Sequence, residues 1–222
     1  DVTAPEEDVT APEEDVTTPE EDTETPEGCN TIAELRASEV ADSDMEAGIV
    51  VDMTLCDVAV TVVYYNGYYV QEAGGDAMNI YLGSQLLEDG SWPFTAPSVG
   101  DVLDIPVTKY GSFAGHEEVL ESGEPTVTGS TSIEAYHTDL SSGIAPEEAM
   151  ESTIVTVTGA TITHIEGKTL KVDYGTATDV QVYLSGTLQV CDGATMTITT
   201  GVVTEYNGTH QIKVFEPETN IT

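Results

Sequence analysis

GIVVDMTLCDVAVTVVYYNGYYVQ, residues 48–71, is where the fold becomes legible. Ile49, Val51, Met53 and Leu55 recur at every second position, the signature of a strand with one buried face. The phase then slips, and Val58, Val60, Val62 and Tyr64 carry the apolar face onward. A one-residue slip reverses which face looks inward, so a bulge or sharp bend is predicted near Cys56–Asp57. Asn66-Gly67 follows between paired tyrosines, a strong local signal for a hairpin.

Downstream, AMNIYLGS (77–84), DVLDIPVTKYG (101–111) and HEEVLES (116–122) read as three further strands, with a loop over 86–100. Five strands, the first long and bent, describe a small closed barrel. The second half repeats the plan. STIVTVTGATITHIEG (152–167) is long and alternating, with a bend expected at Gly159, and four more strand-like segments follow. IYLGSQ (80–85) recurs as VYLSGT (182–187), and VTKYGSFAGHEEV (107–119) as VTEYNGTHQIKV (203–214), which points to a tandem duplication. Residues 29–121 and 152–222 are the expected barrels. Residues 122–151 read as a linker with one helical turn at APEEAM.

Upstream of the first barrel, CNTIAELRASEVADSD (29–44) spaces Ile32, Leu35 and Val40 for a short helix, with Thr31 and Glu34 placed as a capping box. Residues 1–28 are different in kind. DVTAPEE is written twice, then as DVTTPEE and DTETPEG, with Pro5, Pro12, Pro19 and Pro26 forbidding a continuous helix. This acidic repeat is expected to be an extended N-terminal tail, too poor in apolar residues to fold alone. A chain opening on Asp1-Val2-Thr3 reads as trimmed rather than initiated.

The formal charge is -36, from 41 acids against 5 bases. Twelve of those acids lie in residues 1–28, so the remaining 194 residues still carry 29 acids against all 5 bases. Such a field repels nucleic acid and anionic membrane and concentrates cations. No apolar run is long enough to span a bilayer, so no membrane insertion is expected. Cys29, Cys56 and Cys191 lack CxxC spacing, which argues against a zinc or redox site and leaves their pairing open. Two Asn-x-Thr sequons, at Asn207 and Asn220, and the scarcity of Lys suit an extracellular protein.

Taken together, TIAELRASEV (31–40), GIVVDMTL (48–55), GYYVQEAGGDAMNIYLG (67–83) and GDVLDIPVTKYG (100–111) resemble the OB-fold domains of secreted bacterial surface proteins and lipoproteins. The resemblance covers residues 30–121 well and 150–219 more loosely. It implies an all-β chain: two tandem five-stranded OB-like β-barrels with short helices and an acidic tail. It also implies a bacterial cell-surface or extracellular location.

OB barrels commonly bind single-stranded nucleic acid on a basic groove with stacking aromatics. Tyr64, Tyr65, Tyr68, Tyr69 and Tyr81 supply aromatics here, but among acidic neighbours, so no nucleic-acid partner is expected and core packing is the reading for these rings. His116, His137, His164 and His210 are isolated, with no HExxH pair, phosphate-binding Gly loop or Gly-x-Ser-x-Gly elbow. The chain is therefore expected not to be an enzyme. His116-Glu117-Glu118 reads as a solvated strand end, with metal binding as the alternative.

The tail offers the sharpest site prediction. Calcium takes six to eight oxygens in flexible geometry. Asp1, Glu6, Glu7, Asp8, Glu13, Glu14, Asp15, Glu20, Glu21 and Asp22 are the candidate ligands. Each Glu-Glu-Asp unit recurs about every 23 Å in an extended chain, so one unit cannot complete a shell alone. The leading expectation is a structural homo-oligomer, a filament in which the tail contacts neighbouring subunits and Ca²⁺ bridges carboxylates. The alternative is a monomeric surface module, binding a glycan or another ligand, on a solvated acidic stalk.

Overall fold

The computed structural model describes residues 28–38 and 47–222. The ten tail carboxylates predicted to bind Ca²⁺ lie outside the described residues, as does Val40 of the predicted helix.

The first barrel is built from β1 (Ile49–Tyr64), β2 (Gly67–Gln71), β3 (Ala77–Tyr81), β4 (Asp101–Phe113) and β5 (His116–Ser122). Its order is β1-β2-β3-β5-β4, and β1 pairs with β4 to close the cylinder. All pairings are antiparallel except β3 with β5. The predicted bend in β1 is present: the β1–β4 register shifts between Leu55 and Val58, and Asp57 sits at φ 53°. This bend lets one strand pair with β2 at one end and β4 at the other, which closes so small a barrel.

The second barrel repeats this topology with β8 (Ile154–Glu166), β9 (Thr169–Tyr174), β10 (Ala177–Leu184), β11 (Thr195–Tyr206) and β12 (Thr209–Val214). The order is β8-β9-β10-β12-β11, closed by β11 on β8, with β10 parallel to β12. Gly159, at φ 72°, marks the predicted bend in its first strand. The chain is thus all-β, two closed five-stranded OB-like barrels in tandem.

Residues 122–151 do more than connect them. β6 (Thr126–Ser130) adds to the first sheet beside β4, and β7 (Thr138–Asp139) adds to the second beside β8. The predicted turn in APEEAM is a single 3-10 turn over Glu148–Met150.

Helix α1 (Ile32–Arg36) lays Ile32 and Leu35 into the first core. Its capping box is formed, with Glu34 N donating to Thr31 Oγ1 at 3.1 Å and Thr31 N to Glu34 Oε2 at 2.9 Å. A disulfide between Cys29 and Cys56 ties the segment before α1 to the bend of β1, and Cys191 is an exposed free thiol.

The Asn66-Gly67 hairpin forms, but its two turn residues are Tyr65 and Asn66, since Tyr64 pairs with Gly67. Gly67 is needed for space rather than for a turn dihedral. A Cβ there would lie 2.3 Å from Ile80 O and 2.6 Å from the Tyr64 hydroxyl. The left-handed Asn-Gly turn occurs instead in the second barrel, at Asn207 (φ 51°) and Gly208 (φ 79°).

Candidate functional site: the cleft between the barrels

The two barrels meet through a small apolar seam of Val62, Tyr69, Ile154 and Val202, flanked by Tyr64 and Phe215. Tyr64 stacks on Phe215 with ring centroids 4.9 Å apart, and Tyr69 lies 5.9 Å from the same ring. A second point of attachment joins hairpin tips. Asn207 N donates to Ala114 O at 2.6 Å, and a Cβ on Gly115 would strike Glu205.

Buried charge forms a third attachment. Glu151, at the end of the connecting segment, has its carboxylate 2.8 Å from His116 Nδ1, and the same oxygen accepts from Glu117 N at 2.5 Å. Arg36 of α1 reaches Glu117 at 2.9 Å and donates to Ala77 O at 3.0 Å and Glu151 O at 3.4 Å. The reading of His116-Glu117-Glu118 as a solvated strand end is corrected here. His116 and Glu118 are 7 % and 6 % exposed, because the second barrel covers the start of β5.

Beside these attachments lies a cleft of about 520 Å³, within the range of small-ligand pockets. Its walls come from corresponding positions of the two repeats. In the first barrel Asn79 pairs with Glu118 across the parallel β3–β5 seam, and in the second Gln181 pairs with Gln211 across the parallel β10–β12 seam. Both pairs are joined by side chains: Asn79 Nδ2 donates to Glu118 Oε2 at 2.9 Å, and Gln181 Nε2 to Gln211 Oε1 at 2.7 Å. Tyr81 and Tyr183 stand two residues beyond the amides on β3 and β10, and both line the cleft. Phe113 and Tyr206, each the last residue before its hairpin turn, line it as well.

The polar groups are tuned by burial. The Glu118 carboxyl is pushed up to about 7, chiefly by burial, while His116, the Asn79 hydrogen bond and Lys213 pull it back. Burial pushes the Lys213 ammonium down, offset by Glu118. Lys213 Nζ lies 4.8 Å from the centroid of Phe215 and 5.9 Å from that of Tyr64, a cation held over aromatic faces. Tyr64 donates to Asn79 Oδ1 at 2.8 Å, and burial and then the Glu118 charge raise its hydroxyl well above the usual range. Thr204 Oγ1 and His116 Nε2, both on cleft residues, are buried and find no partner among the described residues. An unpartnered buried polar atom costs about 1–3 kcal/mol.

Sequence reading placed the tyrosines as packing groups, and the structure divides them. Tyr68 is a core residue stacked on Trp92, Tyr69 packs between barrels, Tyr65 stands exposed at a hairpin tip, and Tyr64 and Tyr81 line the cleft. His137 lies 3.2 Å from Ile133 O and 3.3 Å from Thr200 Oγ1, and His164 is exposed. His210 lies beside Glu148 and Glu205. Gln181, Gln211 and Lys213 were missed as site residues. Their signal is the recurrence of IYLGSQ (80–85) as VYLSGT (182–187), which sets Asn79-Ile80-Tyr81 against Gln181-Val182-Tyr183.

Among the described residues, no helix is long and apolar enough to cross a membrane. No family model matches the chain, and no curated protein is similar to it. The chain is similar to several solved structures. A murine DNA-binding protein bound with double-stranded DNA is 14 % identical with a TM-score of 0.36, covering 73 % of this chain and 93 % of that one. The p204 HINb domain is 12 % identical with a TM-score of 0.34, over 79 % and 95 %. The p202 HIN1 domain in complex with a 12-mer double-stranded DNA is 11 % identical with a TM-score of 0.30, over 76 % and 92 %. The likeness is one of fold alone. The expectation that nucleic acid is no partner is nevertheless withdrawn, because two of these similar structures are complexes with DNA.

Proposed function

We propose that the chain is a non-enzymatic binding module whose inter-barrel cleft takes a neutral, polyhydroxylated ligand of the size of a short saccharide. The observation that carries this reading is the facing of two corresponding amide-and-tyrosine walls, Asn79–Glu118 with Tyr81 and Gln181–Gln211 with Tyr183, across one cavity. Amides and hydroxyls match ring hydroxyls in both donor and acceptor roles. Tyrosine faces offer flat apolar surface beside a polar tip. Burial pushes the Glu118 carboxyl up to about 7, so below neutrality it is uncharged and can donate as well as accept hydrogen bonds.

The disulfide supports an oxidising compartment, and with the resemblance to secreted OB-fold domains it supports a place at a bacterial surface. A second reading, Ca²⁺-bridged assembly through the acidic repeat, rests on the 12 carboxylates of residues 1–28 and is independent of the cleft.

A neutral-glycan array followed by calorimetry tests the cleft. Tyr183→Ala and Gln211→Ala should each weaken a captured saccharide by about tenfold or more. Affinity unchanged in both variants would refute the reading. So would capture of double-stranded DNA through these residues with no saccharide bound.

A further inference from the structure

Glu148, Glu205 and His210 bring one ligand atom each to within 4.8 Å of one another, and among the described residues they are the one group of three His, Cys, Asp or Glu side chains that does so. The atoms come from separate elements: the 3-10 turn of the connecting segment, β11 and β12. His210 Nε2 is 3.1 Å from Glu148 Oε2 and 3.8 Å from Glu205 Oε2. Those spacings bracket the ligand-to-ligand edge of about 3.4 Å expected of a tetrahedral ion with bonds near 2.1 Å. Glu205 is also held in place: its other oxygen accepts from Gly208 N at 3.0 Å, leaving Oε2 turned toward His210.

We propose that these three residues form a zinc-class metal site at the rim of the cleft, with Glu148 Oε2, Glu205 Oε2 and His210 Nε2 as ligands and the fourth position open to solvent. One imidazole with two carboxylates suits a borderline transition ion, whereas calcium prefers an all-oxygen shell. Two carboxylates facing one imidazole nitrogen repel each other, and a divalent cation neutralises both. His210 binds as the neutral imidazole, through Nε2. The ion would fasten the connecting segment to the β11–β12 hairpin, whose tip touches the first barrel through Asn207 and Ala114. This site differs from the tail's carboxylates and does not depend on what the cleft binds.

Calorimetric titration of the full-length Cys191→Ser protein with Zn²⁺ at pH 7.5, alongside Ca²⁺, tests the proposal. The substitution removes the exposed thiol as a competing ligand. One Zn²⁺ should bind in the micromolar range, not displaced by millimolar Ca²⁺. His210→Ala and Glu148→Gln should each weaken it by about tenfold or more, since even loss of groups that merely orient a ligand costs that much. Circular dichroism of each variant confirms that the barrels are intact. Independently of any variant, Zn²⁺ should shift the His210 ring resonances while leaving those of His164 in place. Zn²⁺ affinity equal in parent and both variants, displacement by Ca²⁺, or unmoved His210 resonances would overturn the site.

Discussion

Asn79 donates its side-chain amide to Glu118 at 2.9 Å across the one parallel seam of the first barrel, and Gln181 does the same to Gln211 at 2.7 Å in the second. Two barrels of the same strand order, packed against each other, turn these outward strand positions into opposite walls of one cleft. One wall has a carboxylate, Glu118, where the other has an amide, Gln211. The difference sets a titratable group, the Glu118 carboxyl, in the first barrel's wall where the second has Gln211.

The Glu118 carboxyl titrates at about 7 in the folded protein against 4.5 for a free side chain. The unfolded chain gives up this proton first as pH rises. The stabilisation is therefore complete below about 4.5 and is lost as pH climbs to about 7, a change on the order of 3 kcal/mol. Glu118→Gln keeps an acceptor for Asn79 and removes the titration. Denaturant midpoints at pH 5 and pH 8 should differ less in this variant than in the parent, and equal differences would refute the assignment.

Gly67→Ala should destabilise the first barrel by about 1–3 kcal/mol, because the new methyl meets the backbone oxygen of Ile80 and the Tyr64 ring. The control is Gly129→Ala, where the nearest atom to a new Cβ is 3.9 Å away and φ is not positive. Thermal melts of both variants check the contrast. A harmless Gly67→Ala would show that the hairpin yields.

The Cys29–Cys56 disulfide closes a loop with a sequence separation of 27. Loop-closure entropy assigns it about 3–4 kcal/mol. Cys29→Ser with Cys56→Ser should lower the first barrel's unfolding midpoint accordingly and release α1 from the bend of β1. Hydrogen exchange at Leu35 and Leu55 reads the local loosening.

Assembly through the acidic repeat predicts filaments in millimolar Ca²⁺ that fray when a chelator is added, and none from a chain lacking residues 1–28. Negative-stain electron microscopy decides this. Single particles under all conditions would leave the repeat as a solvated stalk.

Much of the fold could be read along the chain because local rules fix it. The phase slip at Cys56–Asp57, the Thr31–Glu34 box and β5 over HEEVLES each reflect interactions within a few residues or one strand pair. The turn in YYNGYY was read one residue late, since Asn-Gly normally occupies the turn itself. Here the approach of Ile80 O places Gly67 in the strand instead. The cleft was not legible for a different reason. Asn79, Gln181, Gln211 and Glu118 have the polar character of any solvent-facing strand position, yet in the fold Asn79, Gln211 and Glu118 are buried and Gln181 is half-buried. His116-Glu117-Glu118 does begin β5, but its cover, Glu151 and the second barrel, comes from a distant stretch of sequence and keeps His116 and Glu118 from solvent.

The most direct test is an ¹H–¹⁵N NMR titration of the whole protein with a panel of neutral disaccharides at pH 6. Binding in the cleft should move the side-chain amides of Asn79, Gln181 and Gln211 together, from both barrels, in one saturable process. Amides that stay fixed across the panel, or shifts confined to a single barrel's outer surface, would contradict a shared inter-barrel site.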